Sequence, residues 1–221
     1  MVILSGCAST KVSNQQRLVY ERLPRPNRIV VYDFSANPSD VARDSNLFGQ
    51  APAAAPTAEQ AAIARELGST IARHLAVALN ETGIPAMREM QNVTPQINDI
   101  VLRGYLVSID PGNAAKRMTI GFGSGGSELT TLVEGYQMTP QGLRKLGSAT
   151  LDSKGQKGPG AAVGAAGWIV TGSPVGLVVS GGMKVYGEAS GSATIEGRAK
   201  KTAKEIADRL KSRMKEEGWI Q

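Results

Sequence analysis

The chain has 221 residues, 41% of them hydrophobic, with 26 glycines and only 5% aromatics. That length buries a core without disulfide staples, and the hydrophobic share suits a globular domain rather than a multi-span membrane protein. The formal charge of +6 is compatible with nucleic acid, anionic lipid or plain solubility, and selects none of them.

The chain opens Met1-Val2-Ile3-Leu4-Ser5-Gly6-Cys7-Ala8, and Cys7 is its one cysteine. Leu4-Ser5-Gly6-Cys7 resembles a lipobox, the cleavage signal of bacterial lipoproteins. A branched aliphatic fits the peptidase pocket, two small residues let the backbone approach, and the thiol receives a diacylglycerol. Six residues precede Cys7 and none is Lys or Arg, so residues 1–7 read as the truncated end of a signal peptide. Acyl chains such as palmitate anchor a protein stably, since each buried CH₂ contributes about 0.8 kcal/mol. The expected partner is the lipid bilayer, through acylated Cys7. Ala8 lacks the aspartate that retains proteobacterial lipoproteins at the inner membrane, so the expected location is the outer membrane, facing the periplasm.

Residues 8–27 are mostly polar and carry Pro24 and Pro26, the composition of a tether. The domain is expected over 28–221. Arg28 to Phe34 reads as the first core strand, being β-branched and aromatic. Residues 35–56 hold Pro38, Gly49, Pro52 and Pro56 and read as a long irregular loop. Thr57-Ala58-Glu59-Gln60 is a capping box, and Ile63, Leu67, Ile71, Leu75 and Leu79 lay one apolar stripe along the helix that follows. Gly83 closes it. Ile84 to Met90, interrupted by Pro85, reads as a short edge strand.

Asp99 to Ile109 is apolar on both faces and therefore central. Glu128 to Met138 and Leu143 to Asp152 flank Thr139-Pro140-Gln141-Gly142 and form a hairpin. A last helix, from about Gly191 to Glu217, buries Ile195, Ala199, Ile206, Leu210 and Met214. Gly218 ends it, and Trp219-Ile220 pack back. The fold class is α+β: a single mixed or antiparallel sheet of four to five strands, two long helices on one face, and a Gly-rich insertion.

Gly121-Phe122-Gly123-Ser124-Gly125-Gly126 matches a dinucleotide fingerprint by spacing, but strand formers follow where a helix is required. Two readings remain. One is a flexible turn into the hairpin. The other is an anion nest built by Gly121, Gly123, Gly125 and Gly126 with Lys116 and Arg117.

Residues 158–183 hold no charge until Lys184. Their length suits a bilayer span, yet glycine is abundant and Pro174 sits in the middle. Gly160 and Gly164, and Gly172 and Gly176, give the spacing that lets helices touch closely. A helical hairpin for self-association, a segment dipping into the bilayer and a surface loop all fit it.

No catalytic constellation is visible. His74 is the one histidine, at the flank of the Ile71/Leu75 stripe, where a boundary or solvated position is expected. With Cys7 lipidated, no zinc set and no triad can be assembled, so neither metal nor cofactor is expected. Asp33, Asp99 and Asp110 lie near strand ends, but nothing pairs them. The last helix carries Arg198, Lys200, Lys201, Lys204, Arg209, Lys211, Arg213 and Lys215. This is a solvated basic face or a surface for anionic headgroups.

The lipobox, the run from Gly112 through Lys116-Arg117 to Gly125, and the closing Ala203 to Leu210 with Gly218-Trp219 resemble an uncharacterised family of bacterial lipoproteins carrying domain of unknown function 4410. The resemblance implies an envelope location and supplies no activity. The element order is also similar to that of periplasmic domains of envelope lipoproteins such as the curli secretion subunit, an analogy of fold only. The expected function is that of a non-enzymatic, membrane-anchored binding or assembly module of the cell envelope, with a homo-oligomer or an envelope protein as further partner. The alternatives are a small-anion binder using Lys116 and Arg117, and a cytosolic nucleic-acid binder if Cys7 is not acylated. With Cys7 acylated, no nucleic-acid partner is expected.

Overall fold

The computed structural model describes residues 10–48, 57–89, 93–110, 128–154 and 195–221. In chain order the elements are β1 (Thr10–Arg17), β2 (Ile29–Val31), α1 (Ala58–Asn80), β3 (Ala86–Arg88), β4 (Ile100–Asp110), β5 (Glu128–Thr139), β6 (Gly142–Lys154) and α2 (Ile195–Glu217). The strands form one mixed sheet in the order β1-β6-β5-β4-β2-β3. Strand β2 runs parallel to β3 and β4, and the remaining pairings are antiparallel.

The architecture is the expected α+β, with one correction. Among the described residues the sheet has six strands rather than four to five, and the sixth lies inside the stretch expected to be a tether. Residues Thr10–Arg17 pair with β6 along its free edge. The reason is visible in the side chains. Only Val12 packs on the core, so β1 shows no apolar alternation and is held by backbone hydrogen bonds. An edge strand needs no more than that.

The elements form where local chemistry directs them. The Thr57 hydroxyl accepts the Gln60 N–H at 3.2 Å, and the Gln60 side-chain oxygen accepts the Thr57 N–H at 2.8 Å, completing the capping box. Leu67, Ile71, Leu75 and Leu79 are buried along the stripe, and Gly83 takes φ +80° just past the helix. Gly142 adopts φ +111° in the hairpin turn. At the end of α2, Gly218 takes φ +75° and donates to the Lys215 carbonyl, while Trp219 N–H reaches the Met214 carbonyl at 2.8 Å. These two bonds are the Schellman pattern, which satisfies carbonyls the helix leaves open.

Both helices cover the same face. Ile29, Val31, Ile100, Leu102, Leu106, Leu129 and Leu151 join the inner sides of α1 and α2 in one core. Helix α1 packs over β2, β3 and β4; α2 packs over β1, β5 and β6; and the helices touch each other. Phe34, just after β2, sits where two glycines make room. A Cβ at Gly68 would lie 1.9 Å from the Phe34 carbonyl oxygen, and one at Gly104 would lie 2.2 Å from its ring.

The opposite face also buries side chains: Val30, Val101, Tyr105, Leu132 and Tyr136. The irregular loop after β2, including a 3-10 turn at Pro38–Asp40, is tied to this face. Its Ala42 N–H donates to the Tyr105 hydroxyl at 3.1 Å, and Ser45 and Asn46 reach Glu134.

Candidate functional site

The residues singled out in the sequence for lipidation (Cys7), for an anion nest (Lys116, Arg117, Gly121, Gly123, Gly125 and Gly126) and for self-association (Gly160, Gly164, Gly172 and Gly176) all lie outside the described residues. The remaining charged candidates can be placed. Asp33 receives both Arg88 nitrogens at 2.5 and 2.6 Å, which raises the Arg88 pKa through that hydrogen bond. Asp99 is fully buried and accepts from Arg28 Nε at 2.7 Å and from Gln96 N–H at 2.7 Å. Both carboxylates are engaged in holding neighbouring segments together.

His74, on α1, is half-buried. Burial first, then the charges of Arg73 and Lys200, push its pKa down. Arg198 departs from the expected solvated basic face. It is buried on the inner side of α2, and that burial lowers its pKa.

The face bearing the irregular loop holds one buried ionic cluster. Glu134 is fully buried. Its Oε1 accepts from Lys145 Nζ at 2.7 Å, Ser45 Oγ at 3.0 Å and Asn46 N–H at 3.3 Å. Its Oε2 accepts from the Tyr136 hydroxyl at 2.8 Å. Burial, followed by the bond to Glu134, pushes the Tyr136 pKa far above its ordinary value, so the hydroxyl stays a donor. Such a satisfied carboxylate suits a clamp that fixes the loop to the sheet.

The other face offers a binding geometry. Between the sheet and the second half of α2 lies a cavity of about 460 Å³. This is within the range of small-molecule pockets, roughly 300–1,000 Å³. Its walls are mostly aliphatic. Ile29, Ile100, Leu102, Val133, Leu146 and Leu151 come from the sheet side, and Ile206, Leu210, Met214 and Trp219 come from α2 and the tail after it.

Two strand glycines shape the floor. A Cβ at Gly135 would meet only Leu102 Cδ2, at 3.8 Å, so the space above it is open. A Cβ at Gly147 would lie 2.4 Å from the Gln16 carbonyl oxygen, so this glycine is what allows β1 to approach β6.

The mouth is charged. Arg17, Arg209, Arg213, Glu216 and Glu217 line it together with Ser212. Glu217, whose side chain is 3% exposed, pairs with Arg213 through Oε1. Its Oε2 accepts the Leu23 N–H at 3.1 Å, and Arg17 stands 3.9 Å away. The carboxylate thereby joins α2 to residues 17–23 and holds two arginines at the opening.

The cavity residues carried a readable sign that sequence reasoning left unused. Gly135 and Gly147 interrupt two strands, and strand glycines mark bulges or close approaches. The register of β5 against β6 does shift between Gly135 and Tyr136. Nothing local, however, places α2 above them. Among the described residues, no helix is long and apolar enough to cross a membrane.

No curated protein matches the chain. Among solved structures, it is similar to a PelC dodecamer from Paraburkholderia phytofirmans carrying one leucine-to-methionine change. The TM-score is 0.38 and the identity 16%, covering 67% of this chain and 82% of that one. A second crystal form of the PelC dodecamer from the same organism gives a TM-score of 0.37 at 14% identity, covering 67% and 83%. The family model described as Domain of unknown function (DUF4410) matches residues 29–172, and the chain belongs to that family.

Proposed function

We propose that the protein is a non-enzymatic binding module of the cell envelope, and that the cavity between the sheet and α2 takes up the apolar chain of a small amphiphile. The observation that carries this reading is the cavity itself: about 460 Å³, with mostly aliphatic walls and a smaller set of charged and polar side chains in its lining. An apolar chain that enters it removes its own surface and that of the aliphatic walls from water, which is favourable by about 25 cal/mol per Å² buried. In this reading Cys7 is acylated and tethers the module to the outer membrane, facing the periplasm. Self-association through the glycine pairs of 158–183 belongs to the same proposal. It rests on their spacing alone.

The test is a titration of the full chain, Cys7→Ser, with a fluorescent fatty acid, beside the same chain carrying Gly135→Leu. Saturable binding that the leucine abolishes supports the cavity as the site. Equal binding by both chains removes it. For the tether, the intact mass of protein from the native host should show a lipid increment at Cys7, and an unmodified thiol would sink that part. For self-association, deleting 158–183 should lower the mass measured by light scattering.

A further inference from the structure

The segment that closes the cavity has two unlike sides. Val19 and Leu23 line the cavity, whereas Leu18 is 44% and Tyr20 75% exposed, and Arg22 is exposed beyond them. The outward set on this strap is an aliphatic, an aromatic and an arginine.

The strap is held firmly. Leu18 N–H donates to the Leu146 carbonyl at 2.9 Å. The Arg17 guanidinium lies 5.0 Å from the Tyr20 ring centre, donating through Nε to the Val19 carbonyl at 2.7 Å and through a terminal nitrogen to the Tyr20 carbonyl at 3.3 Å. Exposure of Leu18 and Tyr20 is therefore a property of a fixed backbone.

Its charge is one-sided. Glu21 is the single acid between Arg17 and Arg25, and it is paired with Arg144, whose hydrogen bond holds the Glu21 carboxyl below its usual range. Arg25 donates to the Gly83 carbonyl, leaving its charge unneutralised, and Arg22 makes no ion pair among the described residues.

We propose that Leu18, Tyr20 and Arg22 form a bilayer-contact surface for anionic headgroups, which sets the cavity mouth against the membrane. An exposed aromatic and an aliphatic beside arginines is the composition that partitions to the membrane–water boundary, with the ring at headgroup level and the guanidinium among the phosphates. Leu18 also follows Cys7 by eleven residues, a span of at most about 40 Å when fully extended. A chain acylated at Cys7 keeps the strap within that distance of the lipid. The inference rests on the proposed function for what enters the cavity and for the tether, but not for the contact itself.

The test uses the full chain with Cys7→Ser, so that no acyl chain contributes, and sedimentation with vesicles of phosphatidylglycerol and phosphatidylcholine or of phosphatidylcholine alone. The expected result is binding to the anionic vesicles that weakens as salt rises. The Leu18→Ser/Tyr20→Ser pair should weaken it at least about tenfold, and Arg22→Ser about fivefold. These side chains are solvent-facing, and unchanged melting curves would show that the variants fold.

Binding that both variants retain in full, as contact through another region or a docked protein partner would give, overturns the proposal. So does the absence of binding by the parent chain. Gly135→Leu separates the two readings. Vesicle binding with no fatty-acid uptake in any chain sinks the cavity alone, whereas uptake without vesicle binding sinks the contact surface alone.

Discussion

The Trp219 indole N–H donates to the Leu23 carbonyl at 2.9 Å, joining the tail after α2 to a strap 196 residues earlier. With Glu217 accepting the Leu23 N–H, both backbone groups of one residue are held by the C-terminal end of the chain. The strap after β1 and the tail after α2 thus close one cavity. Trp219→Phe should cost about 1 kcal/mol, the net worth of one hydrogen bond, and Trp219→Ala about 2–4 kcal/mol through lost packing. Urea unfolding monitored by circular dichroism measures both. A smaller loss in the alanine variant than in the phenylalanine variant would contradict the latch.

The two floor glycines should respond in opposite ways. Gly135→Ala adds a Cβ at ordinary contact distance from Leu102, so stability should be kept or slightly raised. Gly147→Ala forces a carbon toward the Gln16 carbonyl and should cost about 1–3 kcal/mol by displacing β1. Thermal melting of the two variants side by side gives the comparison.

Lys145→Met leaves Glu134 charged and buried without its cation. The expected loss is about 3–5 kcal/mol, and Glu134→Gln in the same chain should recover much of it. A double-mutant cycle in urea yields the coupling. Independent, additive losses would show that the pair is not what holds the 42–48 segment down.

His74 makes stability depend on pH. Its folded pKa lies below its unfolded value, so on acidification the unfolded chain takes up the proton first and is favoured. Stability should therefore fall from about pH 6.5 downward until the folded pKa is passed. His74→Gln should flatten that part of the melting-temperature profile between pH 7.5 and 5. An unchanged slope would assign the acid sensitivity to other groups.

The Thr57 cap is a local device and its effect should be local. Thr57→Ala removes the acceptor for the Gln60 N–H and should destabilise by about 1 kcal/mol. Chemical denaturation provides the measurement. A change below about 0.3 kcal/mol would mean that the first turn of α1 is held by other contacts.

Much of this fold was legible because its signals are local. The capping box at Thr57 and Gln60, the four-residue stripe from Leu67 to Leu79, the glycines at 83, 142 and 218, and the hairpin around Pro140 each depend on neighbours within a few residues. Short-range sterics and hydrogen bonds therefore placed α1, β4, the β5–β6 hairpin and the end of α2 from the amino-acid order alone.

What only the tertiary structure decided depends on backbone pairing and on contacts across the whole chain. Strand β1 is polar and joins the sheet through hydrogen bonds that any side chain permits, so no periodicity announces it. Glu134 reads as one more acid in a strand until Lys145, Ser45 and Tyr136 converge on it. The cavity exists because the space above Gly135 is left open beneath α2 and because Leu23 meets Trp219, a meeting set by how the sheet and the helices pack.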